Sequence, residues 1–392
     1  MEDFVHIDPN LDLTNSDDIK KEIQRLTRLS SLHRNADQAL KILLNSVYGV
    51  MGYPYFVDYM RDVAKSVTAS AVGLIKLTEK IINDFFSQEW ESSIENDDDI
   101  SFNNPIDSDV VLYMDTDSIF LDMQTIYDST ITDMNMLDFS MKVWNYHIYP
   151  YYLDKSREYF AAMGAGDIDI GEPRLELEEF CYKILWATKK RYVKVSQWYK
   201  KQTYEFMDKF SVKGLEIIKY VYSKFSRDSM LDMVKLIINN ASHEKILSKA
   251  KSIKDMYKLH ADDLNYYSIS KTERITTYTK NVIQDDQHGV KVNSGTPIQV
   301  KASARYNHMI KKHNLLNSYP LITNGDKICW YYDINDQPFG FPLNGDFPKE
   351  IAPKINLSSM YNKTFLDPIN TILLSIGKDK VNKNFVYIPK IF

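Results

Sequence analysis

Apolar and polar positions follow two rhythms along this chain, helical at its start and at several later points, strand-like in between. From Ser16 onward, apolar side chains fall at Ile19, Ile23, Leu26, Leu29 and Leu32, the spacing of one helix face. Ser16 suits an N-cap, and Asp17 and Asp18 suit the positive end of the helix dipole. The spacing predicts a helix over 16–34 and a second over about 36–49, ending at Gly49. GVMGYPYFVDYM, with Gly52 and Pro54, interrupts the rhythm, which resumes over 60–86. Residues 87–109 are acidic and turn-rich and predict a mobile surface loop. VVLYMDTDSIFLDM holds two β-rich runs, 110–114 and 118–122, around a polar centre, the pattern of a hairpin. Helical spacing returns at about 137–160 and again from about 213 to 262. Between them, 174–198 joins the acidic apolar LELEEF to the basic, strand-like KKRYVKVSQW. Residues 327–345 alternate around PFGFPL and predict β-structure and turns; the tail, KNFVYIPKIF, is apolar and basic.

At 392 residues, 44% of them hydrophobic, the chain can bury a real core and build two or three packed units. The two cysteines, Cys181 and Cys329, lie far apart and match no zinc spacing, so a reduced, cytosolic setting is expected. The opening MEDFVHIDPNLDL has no apolar signal core, and no uninterrupted apolar run approaches the ~18 residues of a membrane span. Net charge is −5, but it is polarised. Residues 1–180 hold 14 basic and 34 acidic side chains, a balance of −20, and 181–392 hold 34 and 19, a balance of +15. Such a split fits cations bound in one half and phosphates in the other; two subdomains that merely attract each other fit it too.

Three clusters change that picture. Asp115-Thr116-Asp117-Ser118 sits between two apolar strands, where carboxylates at i, i+2 on a strand point to one side. Such a pair at a hairpin tip can share two Mg²⁺ ions for phosphoryl displacement; a turn decorated with Asp is the bland alternative. Lys41, Asn45 and Tyr48 share one face of the second helix and present a cation, an amide and an aromatic hydroxyl, or simply a solvated lysine beside a core tyrosine. Lys189-Lys190-Arg191-Tyr192 is a basic strand with an aromatic, some ten residues after the carboxylates of Glu176, Glu178 and Glu179.

K-x-x-x-N-S-x-Y-G, Y-x-D-T-D-S and K-K-R-Y, in that order, resemble family B DNA polymerases. SDDIKKEI, VKGLE at 212–216, VKASARYNHMIK at 300–311, NDQPFGFPL at 335–343 and KTFLDPI at 363–369 are similar to the replicative enzymes of large tailed phages. The resemblance covers nearly the whole chain, most strongly its palm motifs. It implies an α+β right hand: the second half of the fingers at 1–50, an antiparallel-sheet palm at 51–212, a mostly helical thumb at 213–384 and a tail at 385–392.

It also implies roles. Asp115 and Asp117 match the motif that holds two Mg²⁺ ions, with Glu178 near the second and Glu176 and Glu179 competing for that place. Lys41 matches the lysine that binds the incoming dNTP and protonates pyrophosphate; Asn45 and Tyr48 match residues lining the nascent pair. Lys189, Lys190, Arg191 and Tyr192 match the motif holding the primer end, where minor-groove acceptors recur at every pair. Lys213 and Glu216 fall where palm meets thumb.

The family's other metal-binding aspartate lies in a D-x-x-S-L-Y-P type motif, which does not occur here, nor does an exonuclease pattern or a first fingers helix. The expectation is therefore the C-terminal subunit of a split, Mg²⁺-dependent DNA polymerase in the cytoplasm of a phage-infected bacterium. It would act on primer–template DNA with an N-terminal fragment as partner; a truncated chain is the duller alternative. The tail from Asn384 to Phe392 resembles a sliding-clamp peptide in position and character, against a last strand packed on the thumb. A non-catalytic DNA-binding or clamp-tethering subunit is the alternative function, and the RNP- and OB-like aromatic patterns of single-strand binders are missing.

Overall fold

A computed structural model describes residues 14–164, 175–199, 202–203, 209–382 and 384–385. The opening segment 1–13 and the tail residues Tyr387, Ile388 and Pro389 lie outside the described residues. The chain divides into two compact units, Met1–Glu176 and Leu177–Phe392, a boundary inside the 51–212 segment assigned to the palm. Helices and small antiparallel sheets together make an α+β protein.

The first unit opens on α1, Ser16–Met51, one helix of 36 residues where the spacing had suggested two. No Gly or Pro stands between Ser16 and Tyr48, so nothing interrupts the backbone ladder there. The helix runs past Gly49 and stops only at Gly52, two residues before Pro54. Its N-cap is Asn15 rather than Ser16: the Asn15 side chain accepts from the Asp17 N–H at 3.0 Å. α2, Arg61–Asp84, follows and continues through a π-turn at Phe85–Glu89 into the short α3, Trp90–Ser93.

The acidic stretch expected to be a mobile surface loop is mostly exposed and, beyond Trp90–Ser93, irregular except for two residues, but several anchors pin it. Trp90, Ile94, Ile100 and Ile106 are buried, each contributing about 1.5–3 kcal/mol by area. Asp97 takes the Lys142 ammonium at 2.6 Å and His147 Nε2 at 3.2 Å, and the N–H groups of Asp99 and Ile100. Burial pushes the Asp97 pKa up, but these hydrogen bonds and the Lys142 charge hold it below its ordinary value. β1, Ser101–Phe102, pairs with β4, Thr130–Ile131. Between them lie the hairpin β2, Val111–Asp115, and β3, Ser118–Leu121, and α4, Met123–Asp128. α5, Met136–Lys142, passes through a second π-turn into α6, Tyr149–Ala162, and these helices close the core over Phe139, Val143 and Ile148.

In the second unit, β6, Arg191–Tyr199, is paired on one side by β5, Glu179–Thr188, and on the other by β7, Gln202–Thr203, and β8, Lys209–Lys213. The lysine-rich helical stretch expected from about 213 begins only at Lys224, since Lys213 closes β8 and Glu216–Ile218 is a short 3-10 turn; α7, Lys224–Ile238, and α8, His243–Asp262, are separated at Asn239–Ser242. After the short α9, Tyr266–Ile269, come β9, Lys271–Arg274, the single turn α10, Tyr278–Asn281, and a hairpin of β10, Val282–Asp286, and β11, Gly289–Val292. α11, Ile298–Lys312, packs on the sheet made by β9, β12, Lys327–Tyr332, and β13, Pro338–Pro342. α12, Leu357–Tyr361, and α13, Asp367–Ser375, complete a single core in which the Tyr257 hydroxyl lies 2.7 Å from Ser226 and 2.8 Å from Thr364. Of the expected tail, Phe385 is described; it packs on this core with the Lys254 ammonium 5.2 Å from its ring.

Candidate active site and nucleic-acid interface

Asp115 is the last residue of β2 and pairs with Ser118, the first of β3, so only Thr116 and Asp117 form the loop. The same-side strand argument for the two carboxylates therefore fails, since Asp117 belongs to the turn. What brings them together is tighter. The Asp117 N–H donates to the Asp115 carbonyl at 2.7 Å, closing a turn around Thr116 at φ +62°. A β-branched residue in that region is strained by about 1–3 kcal/mol, and such outliers concentrate at functional sites. The Thr116 hydroxyl donates to Asp115 Oδ1 at 3.1 Å and the Ser118 hydroxyl to the Asp115 carbonyl at 3.1 Å. Asp115 is half-buried, while Thr116, Asp117 and Ser118 are exposed at the tip.

The base of this hairpin is fixed as firmly as its tip is open. Asn83, near the end of α2, accepts from the N–H groups of Val110 and Val111 at 3.0 and 3.2 Å. On the other strand, the Asp122 N–H donates to the Val110 carbonyl at 2.8 Å while the Asp122 side chain caps α4. Asn83 was not singled out from the sequence, where a lone asparagine late in a helix carries no signal of its target.

The donors at the tip are carboxylate, hydroxyl and carbonyl oxygens, the set a hard cation such as magnesium takes. Among the described residues, however, no group of three His, Cys, Asp or Glu side chains is placed to hold a metal. The hairpin fits part of a magnesium site.

Lys41, Asn45 and Tyr48 all lie on α1 and are exposed. Tyr48 is held: its hydroxyl makes a short hydrogen bond with Thr68 on α2, a partner the sequence could not reveal across twenty residues. Tyr48, Arg61, Lys65 and Thr68 line a groove of about 580 Å³ between the two helices. Beside this polar face, Leu40, Leu43, Leu44 and Val47 form an i, i+3, i+4, i+7 stripe that is 51–70% exposed.

In the second unit the KKRY segment is a turn as much as a strand. Lys189 and Lys190 form the two-residue loop between Thr188 and Arg191, with Lys190 at φ +61°, and β6 begins at Arg191. Lys213, at the end of β8, pairs with Tyr192, so Lys189, Lys190 and Lys213 gather exposed at one end of the sheet. Arg191 is committed elsewhere: its guanidinium grips Glu216 in a short ion pair, and Lys219 holds the other Glu216 oxygen at 3.0 Å. Burial raises the Glu216 pKa, but Lys219, backbone hydrogen bonding and the Arg191 charge bring it below the ordinary carboxylate value.

The three candidate glutamates also separate. Glu179, first residue of β5, is tied to Lys194 and Ser196 on β6 by short contacts. Burial disfavours the Lys194 charge, yet the Glu179 hydrogen bond raises its pKa. Glu176 and Glu178 are exposed, alternating with half-buried Leu175 and Leu177.

With this geometry in hand, residues 13–146 match the family described as DNA polymerase family B. The chain is 23% identical over 284 residues to a DNA polymerase of Thermococcus gorgonarius, 68% of this chain and 29% of that one. It is 25% identical over 239 residues to one from Archaeoglobus fulgidus, covering 60% and 23%, and 22% over 271 residues to one from Desulfurococcus sp., covering 67% and 28%. The chain thus spans less than a third of the length of each of these relatives.

Proposed function

We propose that this chain carries the second half of the fingers, most of the palm and the thumb of a family B, phage-type DNA polymerase, and takes part in template-directed nucleotidyl transfer to a primer 3′ end. The observation that carries the reading is the strained hairpin tip of Asp115 and Asp117, within the 13–146 segment that matches DNA polymerase family B. In this reading Asp115 and Asp117 hold two magnesium ions, with Glu178 near the second. Glu179 recedes because its carboxylate already serves Lys194 and Ser196.

Magnesium, when bound, would neutralise charge on the triphosphate and on the attacking primer oxygen. The chain's own residues do the rest. Lys41 would bind the triphosphate of the incoming dNTP and give a proton to departing pyrophosphate. Asn45 and Tyr48 line the nascent pair, with Thr68 fixing the tyrosine ring. Lys189, Lys190 and Lys213 hold the primer duplex; Tyr192 is buried in the core at 7% exposure and, like Arg191, acts on it indirectly, by setting the turn.

Turnover requires the other metal-binding aspartate and the first fingers helix, which a complementary polypeptide would supply together with the exonuclease. The stripe of Leu40, Leu43, Leu44 and Val47, exposed among the described residues, supports this, since a contiguous exposed apolar face marks an interaction surface. Whether a sliding clamp also docks rests on residues beyond Phe385. Primer extension tests the reading: the chain alone should leave a primer unextended, and the chain mixed with the complementary fragment should extend it. Robust extension by the chain alone would overturn the requirement, and none from the mixture would overturn the function.

A further inference from the structure

A second cationic feature of the second unit is untouched by that reading. Lys271 opens β9 opposite Trp330 of β12, and a backbone bridge joins it to Tyr222. Its ammonium lies 5.1 Å from the Tyr222 ring centroid and 5.8 Å from that of Trp330. The Trp330 ring meets Tyr332 edge to face at 5.4 Å, and over Tyr332, at 3.7 Å, stands a second ammonium, that of Lys363. Lys271 thus stands between the rings of Tyr222 and Trp330, and Lys363 over Tyr332, the ring that Trp330 meets.

Among the described residues neither ammonium has an ion pair or a hydrogen-bond acceptor. The nearby carboxylates do not supply one. Glu216 is held by Arg191 and Lys219, and Glu273, two residues along β9, attracts Lys271 without reaching ion-pairing distance. Burial holds the Lys271 pKa below its ordinary value; the Lys363 charge adds to this against the pull of Glu273 and Glu216.

A half-buried lysine with no counter-ion and a second cation beside it costs stability, and cation–π contact offsets only about 0.5–2 kcal/mol of that cost. A methionine would pack the same space without the penalty. Stability given up at an organised site marks function more often than accident. We propose that Lys271 and Lys363 form a phosphate-binding subsite on an aromatic platform. The ligand is a phosphate oxyanion, and the +15 balance of residues 181–392 favours the phosphodiester backbone of duplex DNA as its source over free phosphate. In that form the subsite rests on the reading of this unit as duplex-binding, though not on catalysis.

The test uses the full chain in EDTA, without nucleotide. Binding of a labelled blunt duplex is followed across a KCl series for the parent, Lys271→Met, Lys363→Met and Lys271→Arg, with melting temperatures alongside and pyrophosphate as the free-phosphate probe. Each Met substitution should weaken duplex binding and lower the slope of log K against log salt by about 0.9. Lys271→Arg should restore the slope, and Lys271→Met should melt at or above the parent, which a merely structural lysine would not do. Unchanged duplex binding, with a pyrophosphate-induced rise in melting temperature lost in the variants, would place the same subsite on free phosphate. Unchanged binding of both probes by folded Lys363→Met overturns the proposal; this residue is exposed, so its variant remains informative should Lys271→Met unfold. A changed slope in a chain that never supports extension leaves the subsite standing, and an unchanged slope in an active mixture removes the subsite alone.

Discussion

A Cβ on residue 214 would stand 2.2 Å from the carbonyl oxygen of Lys190, so the chain leaving β8 passes the β5–β6 turn only because Gly214 has none. The same glycine sits at φ +67°, where a side chain is disfavoured in its own right. Gly214 therefore couples the position of Lys190 to the start of the Arg191–Glu216 ion pair.

Gly214→Ala should consequently displace the Lys189–Lys190 loop. The expected cost is about 1–3 kcal/mol of stability, seen as a melting temperature several degrees lower. Duplex affinity should fall with it. A variant that melts and binds like the parent would show that the turn yields easily.

Asn83→Ala removes the acceptor for two backbone N–H groups at the foot of the β2–β3 hairpin. Leaving them unpaired should cost about 1–3 kcal/mol and increase hydrogen exchange at Val111 and at its partner Leu121. Unaltered exchange there would mean that Asp122 anchors the hairpin alone.

Thr68→Val keeps the shape of the side chain and deletes the hydroxyl that meets Tyr48. This contact is exposed, so stability should change by no more than about 0.5–1.5 kcal/mol. In the complemented enzyme, KM for nucleotide should rise several-fold and misinsertion increase, because the tyrosine ring is no longer held. Normal nucleotide kinetics would assign Tyr48 to packing.

The Glu216 pKa is lower in the folded chain than in the unfolded one, so its contribution to stability is full above the ordinary carboxylate pKa and is lost as pH falls through the folded value. The parent should lose melting temperature as pH falls below the ordinary carboxylate range. Glu216→Gln should be less stable at neutral pH and lose less over that fall. Parallel melting curves for the two proteins across the acid range would rule this out.

How much of this was legible beforehand depends on the distance over which each feature is encoded. The β2–β3 hairpin was, because alternation and a polar centre are local. The single long α1 was missed where apolar spacing drifts around residue 35, although the absence of Gly and Pro already favoured continuity. The 87–109 stretch was read as a surface loop, as it largely is, but its anchoring was missed because its acidity outweighs four isolated apolar anchors whose burial only the fold shows. Glu178 and Glu179 are adjacent in sequence, and only the cross-strand partnership of Glu179 with Lys194 and Ser196 tells them apart. Asn83, Thr68 and Lys271 act through contacts formed by tertiary packing.

The central claim is that the carboxylates at the hairpin tip perform chemistry while the basic second unit supplies grip. The most direct measurement is steady-state primer extension by the complemented enzyme carrying Asp117→Asn, with duplex affinity measured in parallel. Asparagine keeps the size of the exposed turn residue and removes its charge. The account expects turnover to fall by several orders of magnitude with duplex affinity essentially unchanged. Turnover within tenfold of the parent, or a loss explained by weaker duplex binding, would contradict it.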